Sequence, residues 1–333
     1  MTDQLVHCDI GSPGIVRVKN GIGFYYLTPK GQKLTQQRTL QRIEKLVIPP
    51  MWDNVWICPN PKGHIQATGM DAKGRKQYLY HQEFTKKKQE EKFNRLLQFG
   101  ENLPLVRKAI DQNLRKRSWV REKVLALVLL VLDEYYLRIG NNVYRQANGT
   151  YGLTTLRRKH LLSEDKQLRL SYKAKSGKQR DLAIENKTIA KLIMQCAELP
   201  GHELFKYFDE TGQRRLVAST DVNGFIREVT GKRYSSKYFR TWGGSTLAIK
   251  HYPEALESVS QNPRKKLRTE IVRQVSQRLG NTMSVCEKYY IHPKVLDYLT
   301  EQPEKMIKYH TRRPDLKEYL EEEELVLLGI LRK

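Results

Sequence analysis

Two neighbouring tyrosines are the first residues whose types and spacing could do chemistry. Tyr289 and Tyr290 stand side by side in the stretch LGNTMSVCEKYYIHP, residues 279–293. A phenol can act as a nucleophile, but its pKa of about 10 makes it a weak one near neutral pH. It therefore requires a pocket of positive charge that stabilises the phenolate. Adjacent helical residues point about 100° apart, so at most one of the two can face such a pocket.

Three other segments carry cationic side chains that could form this pocket. They contain Arg138 in YYLRIGNNVY, Lys175 in KAKSGK, and Lys237 and Arg240 in SSKYFRTWGGS. Taken singly, each has a simpler interpretation, such as a cation at a helix end or a solvated turn. The order of these segments along the chain, followed by Asn281 and the paired tyrosines, indicates a candidate site.

Motifs for nucleotide or metal chemistry are missing from the sequence. It has no GxxxxGK[ST] loop, and GIG at residues 21–23 does not extend to GxGxxG. No obvious cluster of carboxylates could hold Mg²⁺. The cysteines are widely spaced and form no CxxC pair (Cys8, Cys58, Cys196 and Cys286), which argues against a zinc site or a disulfide framework. We expect no metal and no cofactor.

The charge of the chain indicates a polyanionic partner. Its 333 residues include 60 Lys and Arg against 36 Asp and Glu, a net charge of +24, spread along the length and interleaved with aromatic residues. Such a field favours nucleic acid through counterion release; RNA, an acidic membrane surface or simple basic solubility remain open from charge alone. The longest apolar run, residues 124–132, is too short to span a bilayer, and the first residues lack a signal-peptide core. We expect a cytoplasmic, nucleoid-associated protein.

Two domains are predicted from the local patterns. Residues 1–86 alternate short β-like runs with turns and read as a small β-rich domain: a hairpin turning at Pro29, a second in VWICPNPKGHIQATG, an extended run RKQYLYH, and a short helix in QQRTLQRIEKL. Residues 87–333 read as mainly helical with a small sheet.

In the second domain the patterns predict a long buried helix stopped by Gly140 and a hairpin with Gly177 in its turn. Further helices are expected at residues 186–199, 222–231 and 264–280. A capping box at Ser284 and Glu287 should open a short helix that ends before Pro293, on which Tyr289 packs one turn after Val285.

In order and motif, the chain resembles the type IB DNA topoisomerases in their compact bacterial and poxvirus form. The order Arg…Lys…Lys-x-x-Arg…Asn…Tyr carries the resemblance, with LRIGNNVY, TYGLTTLRRKHL, KAKSGK, KYFRTWGGS and GNTMSVCEKYYIHP in the second domain and GRKQYLY in the first. The resemblance covers nearly the whole chain. It implies an α+β fold, with a β-rich N-terminal domain and a mainly α catalytic domain that form a C-shaped clamp. It also implies a monomer acting on double-stranded DNA without ATP.

The resemblance also implies a role for each candidate. Tyr290 would attack a DNA phosphate to give a 3′-phosphotyrosyl link and a free 5′-hydroxyl. Arg138 and Arg240 would bind the non-bridging oxygens, and Lys175 would protonate the leaving 5′-oxygen. Asn281 stands where poxvirus and eukaryotic enzymes have histidine; its amide can donate a hydrogen bond but cannot gain a charge. Two smaller departures are Ala174 in place of glycine, which could alter the hairpin, and GGS after RTW, which should change only packing.

Contacts to DNA outside the site follow from the same resemblance. The implied residues are Arg75, Lys76, Gln77, Tyr78, Tyr80, Tyr144 and Lys237. Strand alternation puts Lys76, Tyr78 and Tyr80 on one face, where cations and amides meet phosphates or base edges. One of these tyrosines could instead pack inward.

Two alternatives stay open at this point. A tyrosine recombinase shares the Arg-Lys-Arg-Tyr arrangement, but usually has histidine where this chain has Lys237 and a helical N-terminal domain. A non-catalytic architectural DNA-binding protein would explain the charge, although not the four motifs together.

Overall fold

The chain folds into two compact units, Met1–Lys92 and Phe93–Lys333. The computed structural model describes residues 4–164, 167–301 and 314–333. The division between the units falls within the helix Gln82–Asn94, and the boundary predicted after residue 86 falls within the same helix. In the described ranges, no helix is both long and apolar enough to cross a membrane.

An antiparallel sheet forms the centre of the first unit. In chain order the elements are β1 (Ile15–Asn20), β2 (Gly23–Leu27), α1 (Gln37–Lys45), β3 (Asp53–Ile57), β4 (Ile65–Met70), β5 (Lys76–Tyr80) and α2 (Gln82–Asn94). The strand order is β2-β1-β3-β4-β5. Strand and helix side chains form its small core: Ile15, Ile43, Val55, Ile57 and Ala67.

The predicted elements of this unit are largely present. The β3–β4 hairpin, the β5 run and the helix α1 are as expected, because each combines local alternation or periodicity with its own turn residues. The hairpin around Pro29 is present in a short form, with an antiparallel bridge from Leu27 to Lys33 and a backbone bond from the N–H of Leu34 to the carbonyl of Tyr26 at 2.8 Å. The longer pairing of β2 is with β1, which the sequence analysis missed.

The second unit is mainly helical, as expected. Its helices are α3 (Leu96–Leu114), α4 (Arg121–Tyr135), α5 (Asn142–Asn148), α6 (Lys187–Glu198), α7 (Ser219–Thr230), α8 (Lys237–Lys250), α9 (Tyr252–Gln261), α10 (Leu267–Leu279), α11 (Met283–Tyr289), α12 (Pro293–Glu301) and α13 (Glu322–Arg332). The strands β6 (Leu161–Glu164), β7 (Gln167–Lys173) and β8 (Gln179–Ile184) make one antiparallel sheet, and β9 (Lys206–Phe208) pairs with β10 (Arg214–Leu216).

The helix α4 is the buried centre of this unit, and its end differs from the prediction. Residues Val124 to Leu129 are fully buried. The helix stops at Tyr135 because Tyr136 adopts the left-handed conformation (φ 52°), with its N–H bonded to the carbonyl of Leu132. The predicted stop at Gly140 is therefore wrong, since tertiary contacts bend the chain four residues earlier.

A buried ionic cluster ties three helices, α3, α8 and α13, to α4. Arg107 of α3 pairs with Asp133 of α4 at 2.6 Å and with Glu324 of α13 at 2.6 Å. The indole of Trp242, on α8, donates to Glu324 at 2.7 Å. Removing one member of such a cluster leaves a buried charge unpaired, which costs about 3–5 kcal/mol. The cluster thereby fixes α8, which carries Arg240.

Candidate active site

Arg138 lies in the segment that follows α4. Its carbonyl accepts from the N–H of Leu153 at 2.8 Å, which pins the segment to the chain 15 residues on. This pairing needs two glycines. A Cβ on Gly152 would lie 2.6 Å from the Cα of Gly140 and 2.7 Å from the Arg138 carbonyl oxygen. Gly140 therefore serves a close backbone approach rather than a helix stop.

Arg240 projects from the first turn of α8 and is only 5% exposed. Its Nη1 donates to the carbonyl of Tyr136, and its Nη2 donates to the carbonyl of Leu279 at 3.0 Å. The left-handed turn that ends α4 and the end of α10 thus both hold this guanidinium in place. Burial lowers its pKa, although the nearby Tyr290 phenol opposes that shift.

Asn281 brings the two arginines together. It follows Gly280, whose left-handed conformation (φ 65°) ends α10. Its Oδ1 accepts from Arg138 Nη2 at 2.7 Å and from Arg240 Nη2 at 3.2 Å. Because both neighbours can only donate, the atom facing them must be the amide oxygen. The Nδ2 donor is buried and, within the described residues, has no hydrogen-bond partner.

Tyr290 is the residue that closes α11. The helix begins after Thr282, whose hydroxyl accepts from the N–H of Val285 at 3.4 Å. The predicted capping box at Ser284 and Glu287 is wrong, because Thr282 lies two residues earlier and takes the cap. The helix ends at Tyr289, so Tyr290 leaves the helical conformation and its side chain is free to turn toward the arginines.

The Tyr290 phenol lies in a cationic environment. Arg138 Nη1 donates to its oxygen at 3.2 Å, and the Arg240 guanidinium carbon lies 4.9 Å from its ring centroid. Burial raises the pKa of this phenol, but the two guanidinium charges and their hydrogen bonds outweigh burial. Its net pKa is lowered below the ordinary value. This is the direction that a tyrosine nucleophile requires.

The backbone of Tyr290 packs against the segment GGS of helix α8. A Cβ on Gly244 would lie 2.6 Å from the Tyr290 carbonyl oxygen, so only glycine lets this backbone lie against α8. The next residue, Ser245, accepts from the N–H of His292 at 3.0 Å. The expectation that GGS changes only packing understates its effect: these contacts place the tyrosine backbone.

Tyr289 differs from Tyr290 in its surroundings. Both tyrosines are half-buried and line the site cleft, and the Tyr290 ring also packs against the hydrophobic core. The Lys288 ammonium lies 5.5 Å from the Tyr289 ring centroid. Tyr289 is the last residue of α11 and lies one turn after Val285, as expected. Its packing role stays a prediction.

Lys175 lies at the tip of the β7–β8 hairpin, on the predicted turn. Ser176 (φ 67°) and Gly177 (φ 75°) make the reversal, and the N–H of Ala174 bonds to the carbonyl of Lys178 at 2.7 Å. The lysine is exposed. It lines a cleft of about 560 Å³ together with Arg138, Asn281 and Tyr290.

Several cleft residues were missed by sequence reasoning, and Arg180 is one of them. Arg180, on β8, lines the same cleft as Lys175. Nothing in its local pattern separates it from an ordinary strand cation, because its partners are 98 and more residues away. Among the described residues, no group of His, Cys, Asp and Glu is placed to hold a metal ion.

The predicted DNA-contact residues of the first unit lie on β5 and just before it. Exposure alternates along the strand, so Lys76, Tyr78 and Tyr80 share the exposed face, with the two rings stacked at 6.0 Å. Neither tyrosine packs inward: they are 40% and 48% exposed. Arg75 and Gln77 instead reach the carboxylate of Asp71, at 2.6 and 2.9 Å.

Two further predicted contacts lie in the second unit. Tyr144 is 63% exposed on the short helix α5, and Lys237 is exposed at the start of α8. Neither belongs to the cleft that holds Tyr290. Their roles stay predictions.

Two family models match this chain. Residues 81–317 match the model described as the catalytic core of eukaryotic DNA topoisomerase I. This range includes every residue that lines the cleft. Residues 23–71 match the N-terminal domain of bacterial DNA topoisomerase IB. The matched family is that of the DNA topoisomerases, isomerases that act on DNA.

Known proteins give the same result. DNA topoisomerase 1B of Acanthamoeba polyphaga mimivirus is 32% identical over 309 residues, which cover 90% of this chain and 92% of the viral protein. DNA topoisomerase 1 of Rabbit fibroma virus (strain Kasza) is 23% identical, covering 71% and 72%. The chain belongs to the type IB DNA topoisomerase family.

A solved structure of the XerH site-specific recombinase bound to a palindromic difH substrate is a more distant match. It aligns with 61% of this chain and 49% of its own, about half its length, at 13% identity and a TM-score of 0.37. The family matches support the topoisomerase interpretation and not the recombinase alternative.

A methyl group on Gly244 should displace Tyr290. In Gly244→Ala the new Cβ would overlap the Tyr290 carbonyl oxygen, so the tyrosine backbone must move. A misplacement of about 1 Å at a reacting group costs on the order of 10²-fold in rate. We expect single-turnover DNA cleavage to fall by about that factor.

The matched control is Gly224→Ala, in the interior of α7. Its Cβ would approach only the end of the Glu228 side chain, at 3.9 Å. It should cleave DNA at the wild-type rate and stabilise the fold by about 0.5–1 kcal/mol. Equal cleavage rates for the two variants would show that Gly244 does not position Tyr290.

Proposed function

We propose that this enzyme relaxes supercoiled duplex DNA by transient cleavage and religation of one strand, without ATP or metal. The observation that carries the proposal is the pair of hydrogen bonds from Arg138, one to the Tyr290 phenol and one to Asn281, at a cleft that Lys175 also lines. A nucleophile, its cationic pocket and an acid are thereby assembled without a carboxylate cluster.

In the proposed cleavage step, Tyr290 Oη attacks a backbone phosphorus and the bond from phosphorus to O5′ breaks. The products are a 3′-phosphotyrosyl link and a free 5′-hydroxyl. The phenolic proton passes to water in the open cleft, because Arg138, the group bonded to the phenol oxygen, cannot accept it. The number of phosphoester bonds is unchanged, so religation needs no ATP.

Arg138 and Arg240 would neutralise the charge that grows on the non-bridging oxygens. Guanidinium groups stay charged at all working pH values and present fixed donors, which suits this task. Arg138 already spans Tyr290 and Asn281, so a phosphate arriving at the phenol lies within its reach. Lys175 would protonate O5′, whose alkoxide is otherwise a poor leaving group.

Asn281 would supply one more donor to the phosphate. Its Oδ1 is occupied by both arginines, and its Nδ2 is buried with no partner in the described structure. Since a buried donor left unpaired costs about 1–3 kcal/mol, a phosphate oxygen placed against Nδ2 would recover that free energy. This is the contact for which an imidazole N–H could substitute.

Relaxation of a negatively supercoiled plasmid tests the function. We expect complete relaxation in EDTA without ATP, and a protein–DNA adduct after denaturation in detergent. A folded wild-type protein that leaves the plasmid supercoiled would overturn the proposal. A product with exchanged strands between two plasmids would instead indicate a recombinase. Sedimentation with a short duplex would test the further proposal that the enzyme acts as a monomer.

Replacement of Asn281 tests whether the residue donates a hydrogen bond to the phosphate or only positions Arg138 and Arg240. The isosteric Asn281→Asp variant keeps an oxygen for both arginines, but it adds negative charge and loses the Nδ2 donor. We expect it to lose about 10²–10³-fold in single-turnover cleavage, the usual effect of removing an oxyanion donor.

Two companion variants complete this test. Asn281→Ala should show a similar loss, and Asn281→His, which restores an N–H donor, should retain activity. If Asn281→Asp cleaved at the wild-type rate, the residue would only be positioning the arginines.

A further inference from the structure

One cleft side chain has no part in the mechanism above. Arg180, on β8 of the Lys175 hairpin, is half-buried, and its Nη2 donates to the carbonyl of Arg278 at 2.8 Å, in the last turn of α10. A Cβ on Gly280 would lie 2.4 Å from Arg180 Nη1. The guanidinium therefore lies against the backbone of the residue that precedes Asn281.

On the side that faces α10, the tip of the Lys175 hairpin makes few other contacts. Within the described residues, the Lys175 side chain makes no hydrogen bond or ion pair, and residues 175–178 are all exposed. On the other side, the carbonyl of Lys173 accepts from the N–H of Tyr151 at 2.8 Å. Arg180 is two residues from the turn and stands opposite Tyr172 in the register, so it is well placed to hold the tip toward Asn281.

We propose that Arg180 is a positioning residue that holds the Lys175 hairpin against the Asn281 turn, and so sets where the general acid meets the leaving oxygen. The inference rests on the proposed function, because it requires Lys175 to be that acid. The side chain reaches across the cleft wall to a carbonyl that closes α10. Two elements that are about 100 residues apart in the chain thereby become one rigid part of the site.

A direct contact of Arg180 with the phosphate is the competing role. Its guanidinium already donates to the Arg278 carbonyl and lies against the Gly280 backbone. Burial lowers its pKa, and the positive charges of Arg278 and Arg138 act in the same direction. These contacts favour a structural link over a free phosphate-binding group.

Changing the leaving group of the DNA distinguishes a positioning role of Arg180 from direct binding of the phosphate. Single-turnover cleavage is measured on duplexes with a normal phosphodiester and with a 5′-phosphorothiolate at the cleavage site, whose sulfur leaves without protonation. We expect Arg180→Ala to be about 10–100-fold slower on the normal duplex, from misplacement of the acid. On the phosphorothiolate it should cleave at close to the wild-type rate.

The matched control is Arg169→Ala in the neighbouring strand β7. Arg169 carries the same charge on the same hairpin, but it pairs across the strands with Asp181 at 2.8 Å and makes no contact with α10 that the structure describes. It should cleave both duplexes at the wild-type rate. A double variant, Arg180→Ala with Lys175→Ala, should be no slower than Lys175→Ala alone, because residues that act through one group are not additive.

The outcomes are distinct. Rescue by sulfur and a non-additive double variant support the proposal. Any one of three results overturns it: a wild-type rate for Arg180→Ala on the normal duplex, no rescue on the phosphorothiolate, or an additive loss in the double variant. A variant that cleaves neither duplex counts as no rescue. If Lys175→Ala itself is not rescued, the assignment of the acid fails, and the fault lies in the proposed function.

Discussion

Tyr290→Phe is expected to abolish both plasmid relaxation and the covalent protein–DNA adduct, while DNA binding is kept. The substitution removes one oxygen and leaves the ring against the core and under the Arg240 guanidinium. Because the phenol oxygen is the atom that would bond to phosphorus, no residual covalent path remains. We expect a loss to the detection limit, the largest effect of any single change in this enzyme.

Tyr289→Phe is the control for this prediction. It removes the same atom one residue earlier, from a side chain that also lines the cleft, whereas the hydrogen bond from Arg138 Nη1 goes to Tyr290. It should form the adduct and relax DNA. The measurements are gel assays for relaxation and adduct, with a duplex-binding titration for both variants. An adduct that persists in Tyr290→Phe, or is lost only in Tyr289→Phe, would assign the nucleophile to the wrong tyrosine.

The second large effect is expected at Lys175. General acid catalysis contributes about 10²–10⁴-fold, so Lys175→Ala should slow single-turnover cleavage of a normal duplex by that range. The lysine is exposed at a hairpin tip, so its removal should leave the fold unchanged. A 5′-phosphorothiolate should restore the rate, since its leaving sulfur needs no proton.

Lys173→Ala provides the comparison. It removes an exposed lysine from the same hairpin, two residues before Lys175 and outside the lining of the cleft. It should cleave both duplexes at the wild-type rate. Were Lys175→Ala equally slow on both duplexes, the residue would bind the phosphate rather than protonate the leaving group.

Local sequence patterns predicted the elements whose causes are local. The alternation in β5, the turn at Gly177 and the periodicity of α6, which Asn186 caps through the N–H groups of Thr188 and Ile189, can all be read from a few neighbouring residues. The order of motifs, interpreted through a resemblance, was enough to identify the family.

The wrong or missing predictions concern features that are set by contacts between residues far apart in the chain. The left-handed Tyr136 ends α4 where a carbonyl is needed by Arg240, 104 residues later. Gly244 is small because the backbone of Tyr290 lies against it, and Arg180 bonds to the end of α10, 98 residues away. A single sequence contains no local signal for such pairs.

The shared amide oxygen of Asn281 has a consequence for the free enzyme. It draws two guanidinium groups together, and within the described part of the chain neither Arg138 nor Arg240 has a carboxylate partner. The site is therefore a local excess of positive charge within the fold. In the proposed function a DNA phosphate binds beside both arginines, and we expect the relief of their mutual repulsion to contribute to the affinity for DNA.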